Sequence, residues 1–255
     1  MMEQQAVCHP EMAALGSVPA QQSALKMKEA AGRAAVDSLV KSGMKLGLGT
    51  GSTAIHTIYR VGELLEQGVL RDISVFATSF NSEIECDKLK IPFYPLNSRE
   101  LSGSLDLTID GADEVDLQNR LIKGGGGALL IEKIAAYASD IFAVVVDESK
   151  IVGSLGSGFP VPIEVIPAAR FVTTKALEAM GAIITLREAK RKVGPIITEN
   201  GNVLLDIRFT TPVDPAIMEC EINQIPGVVE NGFFTRKDPV VFIAHADGNV
   251  EMRGS

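Results

Sequence analysis

Four short segments of the chain combine residue types that ordinary packing does not require. The first is Gly47-Leu48-Gly49-Thr50-Gly51-Ser52-Thr53. Ser52 stands where a dinucleotide fingerprint has its third glycine, and no lysine precedes Ser52 or Thr53 as in a P-loop, so both nucleotide readings lose their main support. What remains is a glycine turn opening a helix, whose free N–H groups and dipole suit a phosphate at Thr50, Gly51, Ser52 and Thr53. A tight strand-to-helix turn with threonine as cap is the equally weighted alternative. The second segment, Asp110-Gly111-Ala112-Asp113-Glu114, follows an apolar run. Acids at the carboxyl end of a strand can hold sugar hydroxyls, while a helix cap at Asp110 or a divalent cation is the competing use. The third, Lys123-Gly124-Gly125-Gly126-Gly127, precedes a helix that carries Glu132. Four consecutive glycines cost on the order of 0.5–1 kcal/mol each relative to alanine, a cost that close approach of a ligand to the backbone would explain. Leu129, Leu130 and Ile134 can pack inward while Glu132 faces a cleft, although an isolated helical Glu is more often solvated, here beside Lys133 or Lys28. The fourth, Asp147-Glu148-Ser149-Lys150, puts Lys150 just after the most apolar stretch of the chain.

These segments need a scaffold, and the hydrophobic spacing supplies one. A helix is expected over Ala24–Val40, with Ser23 as cap and Gly43 as stop. Strands follow at Lys45–Leu48, Ile73–Ala77, Leu105–Ile109 and Ile141–Val146, separated by helices from Ala54 to Leu65, Asn81 to Lys90 and Ala128 to Ala138. Such alternation indicates an α/β domain with a mostly parallel, Rossmann-like sheet covered on both faces. Beyond Lys150 the texture changes to a glycine- and proline-rich passage. Two helices (Ala169–Met180, Pro215–Asn223) and strands at Ile183–Leu186, Ile196–Thr198 and Val203–Ile207 then make a small α+β unit, its hairpin turning at Asn200-Gly201. Val240–Ala244 is expected to rejoin the first sheet. The divisions are 1–21 for a flexible N-terminal tail, 22–155 with 228–255 for the Rossmann-like catalytic domain, and 156–227 for an inserted, ferredoxin-like α+β domain.

Composition narrows the function. A formal charge of −8 argues against a general nucleic-acid or anionic-membrane partner. Three histidines and three distant cysteines leave little for a zinc site, a disulfide framework or a redox pair, which fits a reducing cytoplasm. No run approaches the roughly 18 apolar residues of a membrane span, and Met1–Ala20 lacks the regions of a secretory signal.

Taken together in this order and spacing, Gly49-Thr50-Gly51-Ser52-Thr53, Ile109-Asp110-Gly111-Ala112-Asp113-Glu114, Lys123-Gly124-Gly125-Gly126 with Glu132-Lys133, and Asp147-Glu148-Ser149-Lys150 closely resemble the type A ribose-5-phosphate isomerase family. The likeness runs from about Leu25 to near the C-terminus and includes Pro162-Ile163-Glu164-Val165 and Ile225-Pro226-Gly227-Val228-Val229. The resemblance implies a homodimer or homotetramer and interconversion of ribose 5-phosphate and ribulose 5-phosphate, in the non-oxidative pentose phosphate pathway, without metal or cofactor. It makes Glu132 the proton acceptor and Thr50, Gly51, Ser52, Thr53, Asp110, Gly111, Ala112, Asp113, Lys123, Gly124, Gly125, Gly126 and Lys150 substrate-binding. Lys28 takes roughly the place of a phosphate-side lysine. One desolvated carboxylate suffices to carry a proton between C2 and C1 through an enediol. The rival readings are a non-catalytic sugar-phosphate sensor and a CoA transferase using Glu132 as nucleophile; the paired acids favour a polyol over CoA.

Overall fold

The computed structural model describes residues 18–254, with side chains from residue 21 onward. The expected tail over 1–21 thus falls mainly outside the described residues, and its last part, from Val18, already belongs to the first helix, α1 (Val18–Leu39). Ser23 lies inside that helix and does not cap it, because the helical turns continue upstream of the first periodic apolar residue. In chain order there follow β1 (Lys45–Leu48), α2 (Ile55–Glu66), β2 (Ser74–Ala77), α3 (Phe80–Lys88), β3 (Leu105–Gly111), β4 (Glu114–Val115), β5 (Leu121–Ile122), α4 (Leu129–Ala138) and β6 (Ser139–Asp147). The second half holds β7 (Val161–Val165), α5 (Arg170–Ala179), β8 (Ala182–Leu186), β9 (Val203–Phe209), α6 (Pro215–Ile222), β10 (Val228–Asn231), β11 (Phe233–Phe234), β12 (Val240–Ala244) and β13 (Val250–Arg253).

The large sheet has the order β13-β12-β6-β3-β1-β2 and is parallel except for the edge strand β13, which the hydrophobic pattern did not reveal. Successive residues of β6 bury opposite faces. Ala143 and Val145 join Leu46, Leu48, Ile109 and Phe242 under α1, α2 and α3. Phe142, Val144 and Val146 join Val241, Ile243, Phe234 and Ala136 of α4 on the other side. Both faces being covered, these strands read as continuous apolar runs. From β1 the chain crosses to β2 on one side and then to β3 on the other, so strand order reverses between β1 and β3. That crevice at the carboxyl ends is where such sheets bind ligands.

The small sheet, β10-β7-β9-β8, is antiparallel and packs with α5 and α6 around Ile163, Val165, Leu177, Leu205 and Ile222. Three sequence expectations shift here. Val228–Asn231 pairs with β7 in this small sheet, so the chain leaves it after Asn231 and not at 228. The linker-like passage also ends in a strand, β7, despite Pro162. That proline is tolerated because, past the last β10 pair at Ile163, its carbonyl still accepts the Gly232 N–H at 2.7 Å while the Gly232 carbonyl is taken by the Lys123 N–H at 2.9 Å, so no acceptor waits for a proline N–H. The Asn200-Gly201 turn forms, with Gly201 at φ +81, but only the Ile197 bridge to Val203 precedes it, so Ile196–Thr198 is not a full strand. A third, three-stranded sheet, β11-β5-β4, lies between the other two in the chain's connectivity. Its buried Glu114 accepts N–H bonds from Gly156, Gly158 and Phe159, each at 2.6 Å, and so pins the glycine-rich passage.

Candidate active site

The crevice between the ends of β1 and β3 is lined by Thr50, Gly51, Ser52, Thr53, Gly111, Ala112, Asp113, Lys123, Gly124, Gly125, Gly126, Glu132 and Lys150. All four segments singled out in the sequence therefore meet at one place. Asp110 alone among the expected site residues is not on the wall. It is wholly buried one layer behind, still within β3, where its Oδ1 accepts the N–H of Thr50 at 3.0 Å and of Gly111 at 2.7 Å. One of its oxygens is thus taken by backbone and the other faces the Lys123 ammonium at 2.9 Å, so the carboxyl frames the glycine turn from behind.

Close approach explains Gly49: a Cβ there would lie 1.9 Å from Asp110 Oδ1 and 2.6 Å from its Cα. Thr50 is fixed from its other side by hydroxyls, its Oγ1 lying 2.8 Å from Thr78 Oγ1 and 2.7 Å from Ser79 Oγ, while Ser82 Oγ donates to Gly49 O. No threonine caps the helix; α2 begins after Ala54 without a side-chain cap. The N–H groups of Gly51, Ser52, Thr53 and Ala54 find no acceptor among the described residues, which leaves them available to an anion. Lys28 of α1 donates to Ser52 Oγ at 2.9 Å, and Lys150, on a 3-10 turn over Glu148–Lys150, lines the crevice with Ser52.

Opposite lies the titrating group. Ala128 and Leu129 start α4 directly after the glycine run, so Glu132 sits in its first turn, where the N-terminal dipole favours a carboxylate. Glu132 is 3% exposed and Lys123 2%. Lys123 Nζ lies 2.9 Å from Asp110 Oδ2 and 3.4 Å from Glu132 Oε2, and donates to Gly111 O at 2.5 Å. Burial pushes the Glu132 carboxyl up to about 8; Lys123 opposes this, while the charges of Asp110 and Asp113 add to it. Burial also raises Asp110. For Lys123 burial disfavours the ammonium, but the Asp110 and Glu132 carboxylates outweigh it and hold the group charged. Glu132 does not pair with Lys133, as a solvated helix would allow. Lys133 turns the other way, to Glu219 at 3.2 Å, Glu230 at 2.9 Å and Asn231 O at 2.8 Å, and lies over the Phe234 ring.

A base of raised proton affinity, a fixed ammonium beside it and an anion cradle across the crevice can move a proton on a phosphorylated polyol. Asp113, whose Oδ2 accepts the Gly125 N–H at 2.7 Å, is the exposed-side acid of the pair. Among the described residues no group of three His, Cys, Asp or Glu side chains is arranged to hold a metal ion. The hydroxyl cluster Thr78, Ser79 and Ser82 and the anchoring role of Glu114 were not legible beforehand, because both depend on contacts distant in the chain.

Comparison with known proteins agrees with this geometry. The family pattern described as ribose 5-phosphate isomerase A (phosphoriboisomerase A) matches residues 74–248. A ribose-5-phosphate isomerase A of Treponema denticola is 52% identical over 233 residues, covering 89% of this chain and 98% of that relative. A solved D-ribose-5-phosphate isomerase in complex with phospho-erythronic acid superposes with a TM-score of 0.85 at 40% identity, over 90% of this chain and 98% of that one. The ribose 5-phosphate isomerase A of Methanocaldococcus jannaschii gives a TM-score of 0.83 at 43% identity, over 91% and 98% of the two chains.

Proposed function

The chain belongs to the ribose 5-phosphate isomerase A family and interconverts ribose 5-phosphate and ribulose 5-phosphate, and we propose that Glu132 is the residue that carries the proton. The observation that supports this is the buried Glu132 carboxyl facing the crevice with its proton affinity raised toward neutrality. A free glutamate is too weak a base for a sugar carbon, whereas a desolvated one is matched to the task. Starting from the aldose, Glu132 takes the proton from C2 of the open chain and the C1 carbonyl oxygen becomes the enediolate oxygen; the O2 hydroxyl proton passes to O1, and Glu132 returns its proton to C1 as the carbonyl forms at C2. The Lys123 ammonium and the N–H groups of the glycine loop are the donors at hand for the developing charge. Asp113 orients sugar hydroxyls. The phosphate is held by the N–H groups of Gly51 to Ala54 with Ser52, Lys28 and Lys150, which fixes the register of C1 and C2 against Glu132.

The chain works as a homo-oligomer in the cytoplasm on this reading. Phe80, Ile84 and Ile134 are exposed large apolar side chains on α3 and α4, an area that suits a subunit contact. No helix among the described residues is long and apolar enough to cross a membrane. The division into a Rossmann-like catalytic part and an α+β insert is supported by their separate cores.

The test is Glu132→Gln in an assay of ribulose 5-phosphate formation. Turnover should fall by about 10²–10⁴-fold with sugar-phosphate binding retained. Near-normal turnover would remove Glu132 from the reaction.

A further inference from the structure

Arg187, just past the end of β8 in the small sheet, is a side chain outside the crevice that reaches its backbone. Its Nη1 donates to Gly124 O at 3.0 Å and to Gly125 O at 3.2 Å. Nε donates to Asp206 Oδ2 at 2.8 Å and Nη2 to Asp206 Oδ1, so both edges of the guanidinium are occupied and its plane is fixed. Asp206 is itself set by β9, where it pairs with Thr185 of β8.

The two carbonyls belong to consecutive peptide units, and a trans peptide points its N–H opposite to its C=O. All peptide bonds among the described residues are trans. With the Gly124 carbonyl drawn to Arg187, the N–H of the same unit, on Gly125, is turned to Asp113 Oδ2 at 2.7 Å. With the Gly125 carbonyl drawn there too, the Gly126 N–H is turned away from the guanidinium. It finds no acceptor among the described residues, and Gly126 lines the crevice. The Gly124 carbonyl also accepts the Gly127 N–H at 3.0 Å within the turn, whereas among the described residues the Gly125 carbonyl accepts from Arg187 alone. Glycine units have the greatest freedom to flip, so the guanidinium is what selects the orientation of the second unit. The guanidinium also polarises both amides toward the crevice.

We infer that Arg187 is a positioning residue for the isomerisation: through the Gly124 and Gly125 carbonyls it sets Asp113 and aims the Gly126 N–H at the enediolate oxygen. The inference rests on the reaction taking place beside Glu132. The phosphate cradle, on the opposite wall, has no contact with this clamp, so the effect falls on turnover and leaves substrate capture nearly unchanged.

The experiment is steady-state kinetics of the full chain with ribose 5-phosphate for Arg187→Lys and Asp206→Asn, with Glu132→Gln assayed beside them. An ammonium keeps the charge but cannot hold Asp206 and two carbonyls at once. Arg187→Lys is expected to lower kcat by roughly 10–100-fold, the range for a misplaced catalytic group, with KM within about threefold and thermal stability near that of the parent. Asp206→Asn, which keeps the guanidinium but loosens its fork, should lower kcat to a smaller extent with the same unchanged KM. If Arg187→Lys is too unstable to assay, Asp206→Asn decides alone. A kcat within about twofold of the parent in the assayable variants, or a loss carried by KM, overturns the inference. Full activity in Glu132→Gln would instead overturn the reading of the site on which it rests.

Discussion

Glu132 Oε2 lies 3.4 Å from Lys123 Nζ, and it receives no well-aligned hydrogen bond from any described residue. The carboxylate is thus steadied chiefly by the charge of Lys123. Asp110, on the far side of the same ammonium at 2.9 Å, competes for that charge, so Lys123 does not fully neutralise Glu132. A base held in this way keeps a high proton affinity without losing its place.

Activity should follow that affinity. Glu132 must be ionised to accept the C2 proton, and its carboxyl is raised to about 8 in the ligand-free protein. The logarithm of kcat/KM is therefore expected to climb with pH at unit slope and level off near pH 8. A rate profile already flat between pH 5 and 8 would contradict the assignment.

Stability should run the opposite way. A carboxyl whose folded pKa exceeds its unfolded value contributes stability that is full below about pH 4.5 and is lost as pH rises through about 8. Glu132→Gln cannot ionise, so its melting temperature should gain on that of the parent between pH 6 and pH 9. Parallel melting curves across that interval would show that Glu132 carries no such burden.

At the phosphate wall, Lys150→Ala and Lys28→Ala should raise KM for ribose 5-phosphate by about tenfold each, as loss of a charge-assisted contact does, and change kcat little. Titration with inorganic phosphate as a competitor checks the same point, since it should weaken in both variants.

Gly49→Ala should destabilise the fold by roughly 1–3 kcal/mol, read from the denaturant midpoint, because its Cβ would overlap Asp110 at Oδ1 and Cα. Asp110 cannot retreat, being in a central strand between β1 and β6. Lys133→Met should cost about 3–5 kcal/mol by leaving Glu219 and Glu230 without their shared cation.

Much of this was legible in the sequence because the site is built from the ends of parallel strands, and each end writes its own local signature. Thr50 to Thr53, Asp113, Lys123 and Lys150 are adjacent to the glycines or strands that place them. Glu132 is different: in isolation a helical glutamate is an ordinary surface residue, and only the likeness of the four loops singled it out. Asp110 lies one layer behind the wall because β3 runs on through Gly111, which keeps Asp110 in the sheet. The roles of Arg187 and of Glu114 as an anchor were not legible, since the backbone atoms they hold lie 62 or 63 and 42 to 45 residues away and carry no residue preference. Ser23 looked like a cap because the apolar period began just after it.

Glu132 and Lys133 are neighbours in the chain that serve opposite sides of α4, one in the crevice and one locked to Glu219 and Glu230. Successive helical residues are about 100° apart, so no slippage of the helix can satisfy one without losing the other. The stretch from Lys123 to Lys133 is therefore a gauge of fixed length, tied at both ends. Homologous chains should tolerate replacement within it far better than insertion or deletion, and a single residue gained or lost among its glycines would swing the base out of the crevice while leaving every side chain of the site in the sequence.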